Sequence, residues 1–482
     1  MPGKLRRAVQ AVIYAFFLIS AVSCYKAAAP EPYGPIPSES QLEWQKMETN
    51  MFVHFGPNTF SGLEWGEGTE AEDSFCPTAL DCRQWAETAS KAGFKGIIIT
   101  AKHHDGFCLW PSSVSSHSVA QSKWKDGRGD VLKELSEACR EYGLKFGVYL
   151  SPWDRNHPSY GTAEYNKVYV QALREVHSSY GEIFEHWFDG ACGEGPNGKR
   201  QEYDWEAFRN TVRVLSPSAV MFSDVGPDCR WVGNESGRAG ETNWSRLDVA
   251  GFTPGAGAPP VDTLMQGNRH GACWVPAEVD VSIRPGWFWR ASEDTLVKTP
   301  SELTDIYFSS VGRNSLLLLN VPPDSRGRIH ENDSLALMAF RARIDGIFAR
   351  NLAEDGRASA DACRGARFRP SRLLDGAYDS YWAVPDGELT PAFRVDLPEE
   401  RSFNVVMLQE YIPLGQRVAA FRVEALQDGV WKEIAAGTTI GYKRLLRVPV
   451  TTTKAVRVSI DASMACPVLN GFGLYFDSES SI

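Results

Sequence analysis

The segment His186-Trp-Phe-Asp-Gly190 ends an apolar run on a carboxylate, Asp189. Burying an unpaired acid costs on the order of several kcal/mol, so Asp189 either has a structural partner at a strand end or answers a chemical need at that point. Other reactive side chains stand in comparable places. His54 follows Met51-Phe-Val and precedes Phe55-Gly56, with Glu64-Trp65 shortly after. Lys102-His-His-Asp-Gly-Phe107 closes a second apolar run, and Tyr149-Leu-Ser-Pro-Trp-Asp154 closes a third. One histidine on a strand is usually a satisfied core residue. Three histidines, a tyrosine, several tryptophans and acids on one rim instead describe a pocket for a polyhydroxylated ligand, which needs fixed donors and acceptors and an aromatic floor. Adjacent strand residues point to opposite faces, so His103-His104 is a weak metal pair and no metal is expected in the site.

These residues need elements to hold them. Met51-Phe-Val-His-Phe, Phe94 to Thr100, Leu144 to Leu150, the run ending at Asp189, Ala219 to Ser223 and Leu316 to Val321 read as buried strands. Helical spacing separates them over Asp81–Ala92, Asp130–Tyr142, Ala163–Ser178 and Trp205–Leu215, with Asp130 as an N-cap. Near-continuous apolar strands alternating with helices specify a parallel sheet covered on both faces. With no dinucleotide glycine fingerprint, the expected α/β architecture is a TIM-like (β/α) barrel over residues 41–349. Its chemistry belongs at the C-terminal strand ends. Beyond a linker at Arg350–Arg357 the helical period disappears. Short alternating segments such as Phe393-Arg-Val-Asp-Leu and Val456-Arg-Val-Ser-Ile predict an antiparallel β-sandwich over 350–482.

A chain of 482 residues, 43% apolar and 11% aromatic, holds two domains and a sizeable core. Its net charge of −10 excludes nucleic acid as a partner, because no basic face is available outside the N-terminus. Lys4, Arg6 and Arg7 precede an apolar run, Ala8–Val22, too short for a spanning helix; residues 1–23 read as a signal peptide. Cleavage after Ser23 would expose Cys24, which resembles the lipid acceptor of a bacterial lipoprotein; an ordinary secretory signal is the alternative. Residues 24–40 read as a tether. The expected location is the periplasm or outer membrane of a Gram-negative bacterium, with a lipid anchor as the membrane contact. Ten cysteines without a close C-x-x-C pair exclude a standard zinc site, and Cys363 and Cys466 are candidates for one disulfide.

Met51-Phe-Val-His-Phe-Gly, Glu64-Trp65, Thr100-Ala-Lys-His-His-Asp-Gly-Phe107, Gly147-Val-Tyr-Leu-Ser, Trp187-Phe-Asp-Gly and Arg313-Asn-Ser-Leu-Leu-Leu-Leu-Asn-Val-Pro-Pro together resemble the α-L-fucosidases of glycoside hydrolase family 29. The resemblance implies that Asp189 is the nucleophile. It also implies that His54, Glu64, Trp65, His103, His104, Tyr149 and Trp187 contact the sugar. The acid/base glutamate is not held at a constant place in the family. Glu235, in Arg230-Trp-Val-Gly-Asn-Glu-Ser-Gly, resembles that of the subgroup acting on α-1,3/1,4-linked fucose; Glu278 is the runner-up and Glu241 a distant third. Trp287 and Arg284 are candidates for closing the pocket.

Arg372-Leu-Leu-Asp-Gly-Ala-Tyr-Asp-Ser-Tyr-Trp382 makes the C-terminal sandwich similar to a discoidin-like, carbohydrate-binding module. Asp375 and Asp379 are candidates for a structural calcium site, or serve as turn-forming aspartates; packing against the barrel is the favoured role of the domain. The functional expectation is a retaining exo-α-L-fucosidase that removes terminal α-1,3/1,4-linked fucose from Lewis-type glycans and glycoproteins and needs no catalytic cofactor. The alternative is a non-catalytic fucose- or glycan-binding lipoprotein on the same fold. Retention of both candidate carboxylates favours the enzyme.

Overall fold

The computed structural model describes residues 27–480; the segment read as a signal, with Cys24, lies outside the described residues. Eight strands close a parallel barrel: β1 (Thr49–Val53), β2 (Gly96–Lys102), β3 (Lys145–Leu150), β4 (Ile183–Trp187), β5 (Val220–Ser223), β6 (Cys229–Trp231), β7 (Ala277–Ser282) and β8 (Ser315–Asn320). Closure is made by β1 against β8, with Thr49 opposite Leu317. Every residue of β2 and of β8 is buried, which is why both read as uninterrupted apolar runs. Helix α1 (Glu39–Met47) leads into β1, and its Trp44 lies by the starts of β3 and β4, at the N-terminal mouth of the barrel. Helices α2 (Cys82–Lys91), α3 (Val131–Glu141), α4 (Ala163–Ser179) and α5 (Trp205–Leu215) follow β1 to β4 in turn; α6 (Pro300–Ser309) follows β7 and α7 (Glu331–Phe348) follows β8. Asp81 and Asp130 cap α2 and α3 by accepting from Gln84 N and Lys133 N.

Alternation fails in one quadrant. Among the described residues no helix separates β5 from β6, and the long β6–β7 connection holds one short helix, Val261–Gln266. The stretch around Arg230 is itself a barrel strand, which the sequence pattern did not pick out. Glu278 sits within β7. Two packed regions result: an outer core between strands and helices, and a lumen filled by Phe52, Ile98, Tyr149, Phe184, Trp187, Phe222 and Leu318. Gly96 and Gly147 are required there, because a Cβ at either position would stand under 3 Å from the Phe184 ring.

Residues 357–475 form the antiparallel sandwich: β9 (Arg357–Ala360), β10 (Trp382–Ala383), β11 (Ala392–Glu410), β12 (Val418–Gln427), β13 (Val430–Gly437), β14 (Arg444–Ser463) and β15 (Val468–Tyr475). The short strand expected at Phe393 is part of one long strand, β11, which runs to Glu410 and is interrupted by bulges. Polar contacts dock this domain on the barrel. Gln416 donates to Asn243 O and accepts from Ser245 N, and Tyr442 N donates to Asn314 Oδ1. The expected tether is docked as well. Arg417 holds Glu31 O at 2.6 Å, Arg364 holds Ala28 O at 2.7 Å, and Tyr33 N donates to Leu414 O. Cys363 and Cys466 are both free thiols, so the expected disulfide is absent; Cys466 is buried and accepts from Arg417.

Candidate active site

The C-terminal strand ends converge on a cavity of about 430 Å³. His54 is the first residue past β1, and His103 and His104 are the first two past β2. Because the chain has left the strand, strict alternation no longer applies and both rings turn inward, their centroids 4.2 Å apart. Tyr149 lies near the end of β3 and Trp187 is the last residue of β4. Asp189 follows two positions later. All seven residues expected to contact a sugar line the cavity, together with Trp287, Asp189 and Glu235.

Asp189 is held from two sides: Tyr149 donates its phenol to Oδ2 at 2.8 Å, and Ala191 N donates to Oδ1 at 2.7 Å. Burial and the neighbouring charge of Asp189 both raise the Tyr149 pKa, so the phenol keeps its proton. His104 Nε2 lies 3.7 Å from the same Oδ2, but burial pushes the imidazole down to about 4, so it is neutral and no ion pair forms near pH 7. His54 is pushed down to about 3, mainly by burial. Its Nδ1 faces Asn320 Oδ1 at 2.9 Å, while Asn320 Nδ2 donates to Ser282 Oγ and Trp287 O. Those donations fix the amide, so His54 Nδ1 must carry the proton and Nε2 is left as an acceptor for a ligand hydroxyl.

Trp187 forms the floor, stacked on Phe222 with centroids 3.8 Å apart and on Tyr149 at 5.4 Å. Trp65 is 57% exposed at the mouth and packs edge-on against His104 and Trp153. Glu64 accepts from Trp287 N at 2.5 Å and pairs with Arg290, which anchors the Trp287 segment.

The three candidate acids occupy different environments. Glu235 stands at the rim, where Trp287 Nε1 donates to its Oε2 at 3.2 Å. Its pKa is raised, first by partial burial and then by the charges of Asp189 and Glu64, against the lowering effect of the Trp287 bond. Glu278 is fully buried in the lumen and does not line the cavity. Glu241 is exposed and pairs with Arg313 at 3.3 Å. Arg284 does not close the pocket: its guanidinium is turned to Asp333 and Asp294. Sequence reading missed three lining residues. Asp224, just past β5, is pushed up to about 6, first by burial, and accepts from Gly255 N. Asp280 on β7 accepts from Trp231 Nε1 at 2.9 Å. The acid after Ser223 carries the same strand-then-carboxylate signal as Asp189 and was findable; Asp280 and Trp231 sit within strands that local pattern did not reveal.

In the sandwich, Asp375 accepts from Arg372, Ser380 Oγ and Ala377 N. A carboxylate already neutralised by a guanidinium and closed into a turn does not fit a calcium ligand set.

An aromatic pocket with neutral histidine acceptors and several carboxyls, Asp189 and Glu235 among them, at the C-terminal mouth of a parallel barrel, defines a carbohydrate-active enzyme. The profile of the Alpha-L-fucosidase family matches residues 33–341, and that of the F5/8 type C domain matches residues 357–468. The chain is 43% identical to alpha-L-fucosidase 1 of Arabidopsis thaliana, over 94% of this chain and 89% of that protein. It is 47% identical to an Oryza sativa subsp. japonica protein of the alpha-L-fucosidase 1 type, over 94% and 87%. A Ruminococcus gnavus GH29 fucosidase solved in complex with fucose superposes with a TM-score of 0.86 at 33% identity, over 94% of this chain and 97% of that one. The chain belongs to the alpha-L-fucosidase family, glycoside hydrolase family 29, and carries a C-terminal F5/8 type C, discoidin-like domain. It is a glycoside hydrolase. The expected location in a Gram-negative envelope is corrected by the same relatives, since both of these near-full-length matches are plant proteins. Among the described residues no helix is long and apolar enough to cross a membrane.

Proposed function

We propose that this enzyme is a retaining exo-α-L-fucosidase acting on terminal α-1,3/1,4-linked fucose of Lewis-type glycans, with Asp189 as nucleophile and Glu235 as acid/base. The observation that carries the reading is the pair of contrasting carboxyls on one pocket: Asp189 oriented by Tyr149 and Ala191, Glu235 raised by its surroundings. An Asp189 oxygen attacks the anomeric carbon as the glycosidic C–O bond breaks. The electron pair of that bond leaves with the aglycone oxygen, which takes the Glu235 proton. Glu235, now a carboxylate, then removes a proton from water whose oxygen displaces Asp189 from the same carbon. Two inversions give net retention.

His54 and His104 supply acceptors and Trp187 the apolar floor for the fucose. A pocket closed below by Trp187 and Phe52 suits a terminal residue, which supports exo action. The linkage assignment rests on the Glu235 loop, which resembles the α-1,3/1,4 subgroup. Proton NMR of the hydrolysis of an aryl α-L-fucoside tests the mechanism: α-fucose should appear first and mutarotate later, and β-fucose first would refute retention. Competition between a Lewis-type trisaccharide and 2′-fucosyllactose tests the linkage, with preferential cleavage of the α-1,2-linked sugar as the contrary result.

A further inference from the structure

Two acids inside the barrel have no part in that chemistry. Glu185 on β4 and Glu278 on β7 are both fully buried, with a carboxyl oxygen of one within 4.8 Å of a carboxyl oxygen of the other. We infer that they form a proton-sharing carboxyl pair that positions Trp187, the floor of the sugar pocket, from inside the barrel, as the middle of a hydrogen-bonded chain reaching back to Trp44. The inference rests on the reading of Trp187 as that floor.

The geometry is a chain of four side chains through the lumen. Trp44 Nε1, on the helix that plugs the N-terminal mouth, donates to Glu185 Oε2 at 2.7 Å. Trp187 Nε1, at the other mouth, donates to Glu278 Oε1 at 2.8 Å. Indole N–H groups only donate, so donors enter from both ends and the acids must be acceptors outward. Among the described residues, the two inner oxygens, Glu185 Oε1 and Glu278 Oε2, receive no N–H or O–H from any other side chain or backbone group. One proton between them satisfies both. Two ionised carboxylates this close in a buried lumen cannot persist: burial raises both groups, and the charge of Glu185 adds to drive Glu278 well above the usual carboxylate range.

Apolar residues would fill the lumen without this cost, so the pair is retained for what it fixes. Losing the acceptor would leave a buried indole N–H unpaired and free Trp187 to tilt. Trp187 is stacked on Tyr149, and Tyr149 orients Asp189, so a tilt passes to the nucleophile. Glu278 is thus a positioning residue, acting through Trp187.

The test compares Glu185→Gln, Glu278→Gln and Glu278→Leu in the full chain. A glutamine amide can stand in for the protonated partner and still offer an oxygen to an indole, so both glutamine variants should stay close to wild type. Glu278→Leu should lower kcat/KM about 10- to 100-fold, equally for an activated aryl fucoside and a natural oligosaccharide, as expected for misplacement rather than lost proton transfer. In protein with ¹⁵N-labelled indoles, the Trp187 Nε1–H resonance, assigned by its loss in Trp187→Phe, should move in Glu278→Leu and hold its place in Glu278→Gln. That signal reads the pair whatever the fate of the Asp189 assignment. An unmoved resonance in Glu278→Leu overturns the inference, as does a Glu278→Gln enzyme as damaged as Glu278→Leu. Cys229 lies with both acids, their ligand atoms within 4.8 Å of one another. A stoichiometric metal ion in the purified protein, lost in Cys229→Ser, would replace the shared proton with a metal and also overturn it.

Discussion

Tyr149 and Asp189 are joined by a single hydrogen bond, 2.8 Å from the phenol to Oδ2, which ties the end of β3 to the loop after β4. It fixes one oxygen of the proposed nucleophile while the Ala191 amide fixes the other. Removing the phenol leaves the ring stacked on Trp187 and takes away only the donor. Tyr149→Phe should therefore lower kcat on an aryl fucoside by roughly 10²-fold, with little change in thermal stability. Unchanged kcat in a folded variant would show that Ala191 alone suffices to orient Asp189.

Glu235 should matter most when the leaving group is poor. Protonation of the departing oxygen supplies roughly 10²–10⁴-fold for general acid catalysis, and an activated aryl fucoside hardly needs it. Glu235→Ala should lose far more activity on an oligosaccharide than on the aryl substrate. Azide should then accelerate breakdown of the glycosyl-enzyme and yield a β-fucosyl azide. The raised Glu235 pKa places the basic limb of the kcat/KM profile at this residue: activity falls as pH rises and the proton is lost. Equal losses on both substrates, or the azide product from Glu278→Ala instead, would reassign the acid.

Which parts of this were readable in advance follows from how each is stabilised. Ile97–Ile99 and Leu316–Leu319 are buried by apolar contact alone, so their pattern is local and visible. β6 and β7 bury Arg230, Glu278 and Asp280. Their burial is balanced by partners such as Asn243, Trp187 and Trp231, far away in the chain, and no local period records that. The same blindness explains residues 27–38. Alanine and proline read as a tether, yet arginines from the barrel and the sandwich capture their carbonyls. His54, His103, His104, Tyr149 and Asp189 were legible because each ends a strong apolar run.

Acid lability should show a histidine signature away from the site. His177 is buried with Nδ1 2.8 Å from Ser216 Oγ and Nε2 2.9 Å from His186, and burial pushes it down to about 4. Its unfolded value is about 6.5, so below that pH the unfolded chain binds a proton that the native state does not. The stability it contributes is complete above about 6.5 and is lost as pH falls toward the folded value. Each such histidine costs about 1.4 kcal/mol per pH unit through this window. Denaturant titrations between those limits should give a shallower pH slope for His177→Gln than for wild type; equal slopes would remove His177 from the account.

The most direct measurement is capture of the glycosyl-enzyme. A 2-deoxy-2-fluoro-α-L-fucosyl fluoride slows both steps through electron withdrawal at the reacting centre, while fluoride leaves without needing a proton. Asp189 is the one carboxylate given both a Tyr149 and a backbone donor at the pocket floor, so the intermediate should accumulate on it. Intact-protein mass spectrometry should show one added fluorofucosyl group, and peptide mapping should place it on Asp189, with no labelling of Asp189→Asn. A label on Glu235, Asp224 or Asp280, or turnover of the reagent without any covalent adduct, would contradict Asp189 as the nucleophile.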